Sequence, residues 1–418
     1  MNTLVRLDTS EDTPRILQAI HQTWLGKEPP DPDDAREVRD GFAYYYENFS
    51  EYTSQKIGLA EVDGEVASIA GIIPFPVDSG LFHPQAAQLN PVGTRREYRR
   101  RGLASACIRL LCEHLKKQGC SFFFVAGVSW FYPKLGFYSA FDEYCATIPV
   151  SSLYEISPIA SVRPFTAPDA AQFLYVYENA PHQNLLHLRR DEHWIEKKIL
   201  ERDDLPLGTI RRDDLLLSIR DEAVTGYAVI ERSKSALTFQ ELRAQNRDSL
   251  LALLKAAAKI GTSSDIVEFT VQHAAPGELI HPLALELGGW VTVTHPLYLM
   301  LKILSVEKLF TDMLPLFKER IARSSWAGTP FTLAIESHGE TVSLSNSQEA
   351  DLSVQPMPNP SGILAIPDPA LVKLLTGHRT VEELADSGAC PLFNRDQIDL
   401  LNILFPRHYP YIFEADKN

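Results

Sequence analysis

Two stretches of the chain pass through the same succession of segments, and that repetition limits the fold more than any other feature. In the first, KIGLAEVDGEVASIAGIIPF (56–75) reads as a hairpin turning at Asp63-Gly64, a dipeptide suited to positive φ. AAQLNPVGT (86–94) is the next strand. An amphipathic helix then runs from Gly102 to a stop at Gly119, and the apolar CSFFFVAGV (120–128) is a buried strand. In the second stretch, DDLLLSI and VTGYAVIE form the hairpin and ALTFQELRA the strand. DSLLALLKAAAKIG is the capped helix and SDIVEFTV the buried strand, while PLALELGGW echoes YPKLGFY of the first stretch. Hairpin, strand, helix and strand in that order belong to α/β layering, and their recurrence reads as an internal duplication.

Around this repeat the pattern is simpler. DTPRILQAIHQTW puts Ile16, Leu17, Ile20 and Trp24 on one helical face, with Thr13 as N-cap and Pro14 at the first helical position. The helix from Gly102 is expected to bury Leu103, Cys107, Leu110, Leu111 and Leu115. From Val306 onward an amphipathic helix, a hairpin turning at His338-Gly339, Pro-rich connectors and short helices make an α+β module. A length of 418 residues accommodates two to three such domains.

Charge and cysteine usage narrow the function. With 40 basic against 54 acidic residues the net charge is −14, which argues against general binding to nucleic acid or anionic membranes. Five cysteines without C-x-x-C spacing read as reduced thiols, and MNTLVRLDTSEDT lacks the apolar core of a secretion signal, so a cytoplasmic protein is expected. Apolar runs such as PLYLMLKIL are too short to span a bilayer. His182, His187 and His193 do not share a helical face and no cysteine or carboxylate pattern completes a metal site, so no metal is expected.

Against this acidity, residues 95–101 carry five arginines in seven positions, immediately before Gly102. A strand ends there, the chain turns through glycine, and a helix starts with unpaired N–H groups and the positive end of its dipole. Small residues at Ala104 and Ser105 leave room for a ligand, and arginines add forked donors for phosphate oxygens. The competing reading is a solvated basic helix start paired to surface acids. FYPKLGF, one strand later, favours a pyrophosphate cradle. The second copy has QNRDS at the same place, where Asp248 would cap the helix itself and repel phosphate.

R-x-x-G-x-A at Arg99, Gly102 and Ala104, followed by FYPKLGFY (131–138), resembles the coenzyme A signature of the GNAT acetyltransferases. The three-part order further resembles the enhanced intracellular survival (Eis) acetyltransferases. That resemblance implies tandem GNAT folds, active in 1–150 and degenerate in 151–300, plus a sterol-carrier-protein-like α+β module in 301–418. It implies acetyl-CoA as co-substrate, with Val92 and Thr94 beside the pantetheine arm where a bulge splays the strand. Arg99, Arg100, Arg101, Gly102, Ala104 and Ser105 would line the pyrophosphate, and the oxyanion would fall near the Val92 N–H. Tyr132 would be the general acid and Lys134 merely the exposed turn residue.

The resembled family uses its terminal carboxylate as general base, here Asn418, with Asp416 or Glu414 as substitutes. The competing reading of EADKN (414–418) is a frayed, solvated tail. FAYYYENF (42–49) fits either an acceptor-pocket wall or a core-facing helix. The expected acceptor is a primary amine of a cationic small molecule or peptide, aminoglycoside-like, polyamine or lysine. By resemblance the protein is a homo-oligomer, a hexamer. A rival function is lipid or ligand binding by the C-terminal module on an acetyltransferase scaffold.

Overall fold

The computed structural model describes residues 2–24, 56–200, 210–233, 236–261, 266–347, 352–357 and 363–417; the stretch 42–49 and Asn418 lie outside them. The chain divides into two compact units, Met1–Ala140 with Leu297–His408, and Phe141–Pro296 with Tyr409–Lys417. The first repeat supplies β1 (Thr3–Leu7), β2 (Ile57–Val62), β3 (Glu65–Pro74), β4 (Ala86–Thr94), β5 (Phe122–Ala126) and β6 (Tyr138–Ser139). Next come β7 (Glu143–Pro149) and β8 (Ser161–Pro164), then a short parallel pair, β9 (Ile199–Leu200) and β10 (Ile210–Arg211). The second repeat supplies β11 (Leu215–Arg220), β12 (Ala223–Arg232), β13 (Leu237–Ala244), β14 (Glu268–Val271) and β15 (Trp290–Thr294). Last are β16 (Leu299–Ile303), β17 (Phe331–Ser337), β18 (Glu340–Asn346), β19 (Leu352–Pro356) and β20 (Ile363–Ala365).

The duplication is visible in the strand orders. The first unit holds a sheet ordered β1-β2-β3-β4-β5-β16-β6; the second unit's sheet, read from its far edge, is β8-β11-β12-β13-β14-β7-β15. Hairpins are antiparallel in both, and the strands flanking the long helix pair in parallel, β4 with β5 and β13 with β14. The sixth place differs in origin. In the first sheet it is filled by β16, which follows the second repeat in sequence, and in the second by β7, which follows the first repeat.

Each sheet is covered on both faces. The helix Leu103–Lys117 buries Leu103, Cys107, Ile108, Leu111 and Leu115; Leu110 is only partly buried and Ile108 takes its place. Ile16, Ala19 and Ile20 of the helix Thr13–Trp24 pack with Leu59, Ile69 and Ile73. That helix is entered through a turn at Ser10–Asp12, so the capping residue is Thr9 rather than Thr13: Asp12 accepts from the Thr9 N–H at 2.9 Å and from Arg6 at 2.7 Å. The second unit repeats the device with Thr166, Asp169 and Arg163. Arg-x-x-Thr-x-x-Asp thus recurs in the sequence at 6–12 and 163–169. The second long helix is capped by Asn246, which accepts from Ser249 N–H at 3.0 Å. Asp248 instead accepts from the Ile159 and Ala160 N–H groups, both at 2.9 Å.

The described C-terminal residues, 409–417, are not frayed. Tyr411, Phe413 and Ala415 join the core cluster of Phe173, Tyr177 and Tyr227 in the second unit. Asp416 accepts from Arg190 at 2.8 Å and from the Trp194 indole at 3.0 Å. Arg190, its side chain fully buried, also binds Glu241 through two bonds of 2.7 and 2.9 Å. A buried guanidinium between two carboxylates is satisfied only while both remain. Asp416→Ala should therefore lower unfolding free energy by about 3 kcal/mol, read from denaturant titration; a loss near zero would show that the tail is not clamped here.

Candidate active site

The parallel pairing of β4 with β5 covers only Ala86↔Phe122, Ala87↔Phe123 and Gln88↔Phe124. Beyond it β4 runs on to Thr94 paired with β3 alone, so its other edge leaves the ladder. A register shift between Ala70 and Ile72 marks the bulge at which β4 changes course. Gly71 makes the close approach possible, because a Cβ there would lie 2.7 Å from the Asn90 carbonyl oxygen and 2.7 Å from Pro91 Cδ. Val92 and Thr94 lie past the bulge. Both are partly buried, and the Thr94 hydroxyl is held 2.8 Å from Ser68 Oγ.

β4 delivers the chain into the arginine turn. Arg95 is committed to Glu65 and Glu97 at 2.8 and 2.7 Å, and with Arg101 it flanks the Tyr98 ring, each guanidinium 5.2 Å from the ring centre. Arg99 donates to the Thr94 carbonyl at 3.1 Å and Arg101 to the Glu97 carbonyl at 3.1 Å. Arg99, Arg100, Arg101 and Gly102 are exposed, and Ala104 and Ser105 partly so. Arg100 and Gly102 both adopt positive φ, 65° and 75°. No side chain caps the helix that begins at Leu103, so its first N–H groups face outward. A Cβ built on Gly102 meets no protein atom within 4 Å. Exposed guanidinium groups, uncapped helix N–H donors and clear space over a glycine fit a pyrophosphate.

Tyr132 opens the turn Tyr132–Leu135, which ends at Gly136 with φ 83°. Its ring packs edge-to-face against Phe131 and Phe137, in one core cluster with Leu103 and with Val92 at the margin. Gly127 is shaped by this ring: a Cβ there would lie 2.2 Å from the tyrosine's Cε2. Burial raises the phenol to about 12, so Tyr132 stays protonated at neutral pH. Lys134 is exposed, its ammonium 5.9 Å from the Trp130 ring centre. Sequence reading had not identified Gly71 or Gly127; a glycine inside or just after an apolar strand was their only signal. Of the residues offered for the base, Asp416 has both oxygens engaged by Arg190 and Trp194, and Glu414 pairs with Lys417 at 3.1 Å.

Gly102→Val isolates the cradle. The substituted chain should fold, at a cost of about 1–2 kcal/mol for a β-branched residue at positive φ, and should lose coenzyme A binding. Unchanged affinity by calorimetry would contradict the assignment.

No curated protein matches the chain significantly. Residues 17–141 match the acetyltransferase (GNAT) family model. Among solved structures, a conserved protein of unknown function from Enterococcus faecalis, a probable N-acyltransferase, superposes with a TM-score of 0.76 at 15% identity, covering 98% of both chains. A GCN5-related N-acetyltransferase from Kribbella flavida gives 0.66 at 17% identity, over 98% of this chain and 97% of that one. Eis1 from Mycobacterium abscessus gives 0.62 at 14%, over 98% and 99%. At such identities these likenesses establish a shared fold along the whole length. The family match falls on the segment that carries the arginine turn and Tyr132, so residues 17–141 form a GNAT acetyltransferase domain.

Proposed function

We propose that the chain transfers the acetyl group of acetyl-CoA to a primary amine of a cationic acceptor, aminoglycoside-like, polyamine or lysine. The observation that carries this reading is Tyr132, a buried phenol kept protonated in a core cluster with the first helical residue Leu103, against which the β4 residue Val92 packs. Val92 and Thr94 would hold the pantetheine arm, and Arg99, Arg100, Arg101, Gly102, Ala104 and Ser105 the pyrophosphate. Acetyl-CoA supplies the activated thioester. The net charge of −14 suits a cationic acceptor.

An alkylammonium is almost wholly protonated at neutral pH, and exposing its lone pair costs about 4–5 kcal/mol. A base is therefore needed, and we assign it to the Asn418 main-chain carboxylate, since Asp416 is engaged elsewhere. Tyr132 gives its proton to the departing sulfur as negative charge develops there. The segments 1–150, 151–300 and 301–418 are read as the acetyl-CoA-binding GNAT domain, its degenerate copy and a sterol-carrier-protein-like module. A cytoplasmic homo-oligomer, a hexamer, completes the proposal. No helix among the described residues is long and apolar enough to cross a membrane.

Two variants test the chemistry through thiol release from acetyl-CoA with amine panels. Tyr132→Phe should lower turnover by about two to four orders of magnitude with acetyl-CoA affinity near wild type. An equal loss in affinity and rate would make Tyr132 a packing residue. Extending the chain beyond Asn418 by two glycines leaves the Asp416 clamp intact and should also cost most of the rate. Full activity of the extended chain would remove the terminal carboxylate from the mechanism.

A further inference from the structure

The lysine of β16 occupies an unexpected place. Along that strand Met300, Lys302 and Leu304 share one face, because side chains alternate, and Met300 and Leu304 both belong to the core cluster of Tyr132 and Phe137. β16 is moreover an interior strand, paired with β5 on one side and β6 on the other. A charge at a core-facing position of an interior strand is costly unless a partner satisfies it. The Lys302 ammonium finds one in the Leu135 carbonyl, 2.8 Å away.

Leu135 is the last residue of the turn that begins at Tyr132. The carbonyls at such an end are unpaired and carry partial negative charge, which a lysine satisfies. Gly136, next in the chain, has φ 83°, and a Cβ there would lie 2.6 Å from the lysine Nζ. The glycine of FYPKLGF therefore meets two demands, the left-handed backbone and space for the ammonium.

The duplicated unit supplies an internal comparison. Register makes Phe123 the counterpart of Phe269: Ile57↔Gly71 corresponds to Leu215↔Val229, so Ile72↔Leu89 corresponds to Ile230↔Phe239 and Ala87↔Phe123 to Leu237↔Phe269. Lys302 pairs with Phe123, and Ile148 of β7 pairs with Phe269, so a buried isoleucine stands where the first unit has lysine. Gly288 there has φ 75°, close to Gly136, but nothing lies within 4 Å of its built Cβ. The lysine accompanies the copy with a tyrosine turn and is missing from the copy without one.

We propose that Lys302 is a positioning residue for the acetyl transfer: its ammonium closes the Tyr132–Leu135 turn and so fixes the phenol. This rests on the reading of Tyr132 as the acid. The lysine comes from a strand 167 residues downstream, so the first repeat alone cannot hold its own acid in place.

A kinetic double-mutant cycle decides the matter. Lys302→Met should lower kcat roughly 10- to 100-fold through displacement of the phenol, with KM for acetyl-CoA near wild type. Lys302→Arg, which keeps a charged donor, should recover much of the rate. In a Tyr132→Phe background Lys302→Met should cost nothing further. Additive losses, or an arginine variant no better than methionine, would overturn the proposal. If Tyr132→Phe alone keeps full turnover, the acid assignment fails instead, a distinct outcome. Should the methionine variant fold poorly, Lys302→Gln, whose amide is too short to reach Leu135, takes its place in the same cycle with the same deciding results.

Discussion

The parting of β4 from β5 is the constraint on which the functional features depend. Parallel pairing stops at Gln88↔Phe124, and Gly71 lets β3 stay against β4 through the bulge that follows. The backbone then leads directly to the arginine turn and the uncapped helix start at Leu103. A side chain at position 71 would push Asn90 and Pro91 aside, and with them the course of β4 toward Val92 and Thr94. The opening is a property of backbone geometry before it is a property of any charged residue.

The second unit makes the same point by contrast. There β13 and β14 also part after three pairs, at Phe239↔Val271. Beyond that point β13 carries Glu241 and Arg243, both buried; Glu241 is bound by Arg190 and Tyr227, and Arg243 donates to the Ala180 carbonyl at 2.8 Å. The tail adds Asp416 to this network and Tyr411 and Phe413 to its apolar surroundings. One opening ends in exposed arginines, the other in neutralised, buried charge. The second unit thus differs from the first along β13 as well as at QNRDS.

Local features were legible in the sequence and long-range ones were not. Asp63-Gly64 and His338-Gly339 turn as expected because positive φ is decided by the residues themselves. The duplication, the arginine turn and Tyr132 were readable because each is a short pattern in a recognisable order. The sheet membership of 143–149 and 299–303 depends on partners far along the chain, which no periodicity reveals. Asp248 looked like a helix cap and instead binds residues 159 and 160, nearly ninety positions away. For the polar tail the sequence left a frayed end and a functional one both open, because Asp416 acquires its value only beside Arg190. Lys302 was hidden inside the apolar run PLYLMLKIL for the same reason: its meaning lies in the Leu135 carbonyl.

Calorimetric titration of acetyl-CoA into the full chain tests the central claim most directly. One opening lined by arginines and one filled by buried ion pairs predict a single bound molecule per chain, with affinity that falls steeply when Arg99, Arg100 and Arg101 are all replaced by glutamine. Two molecules per chain, or one whose affinity survives that replacement, would contradict the account.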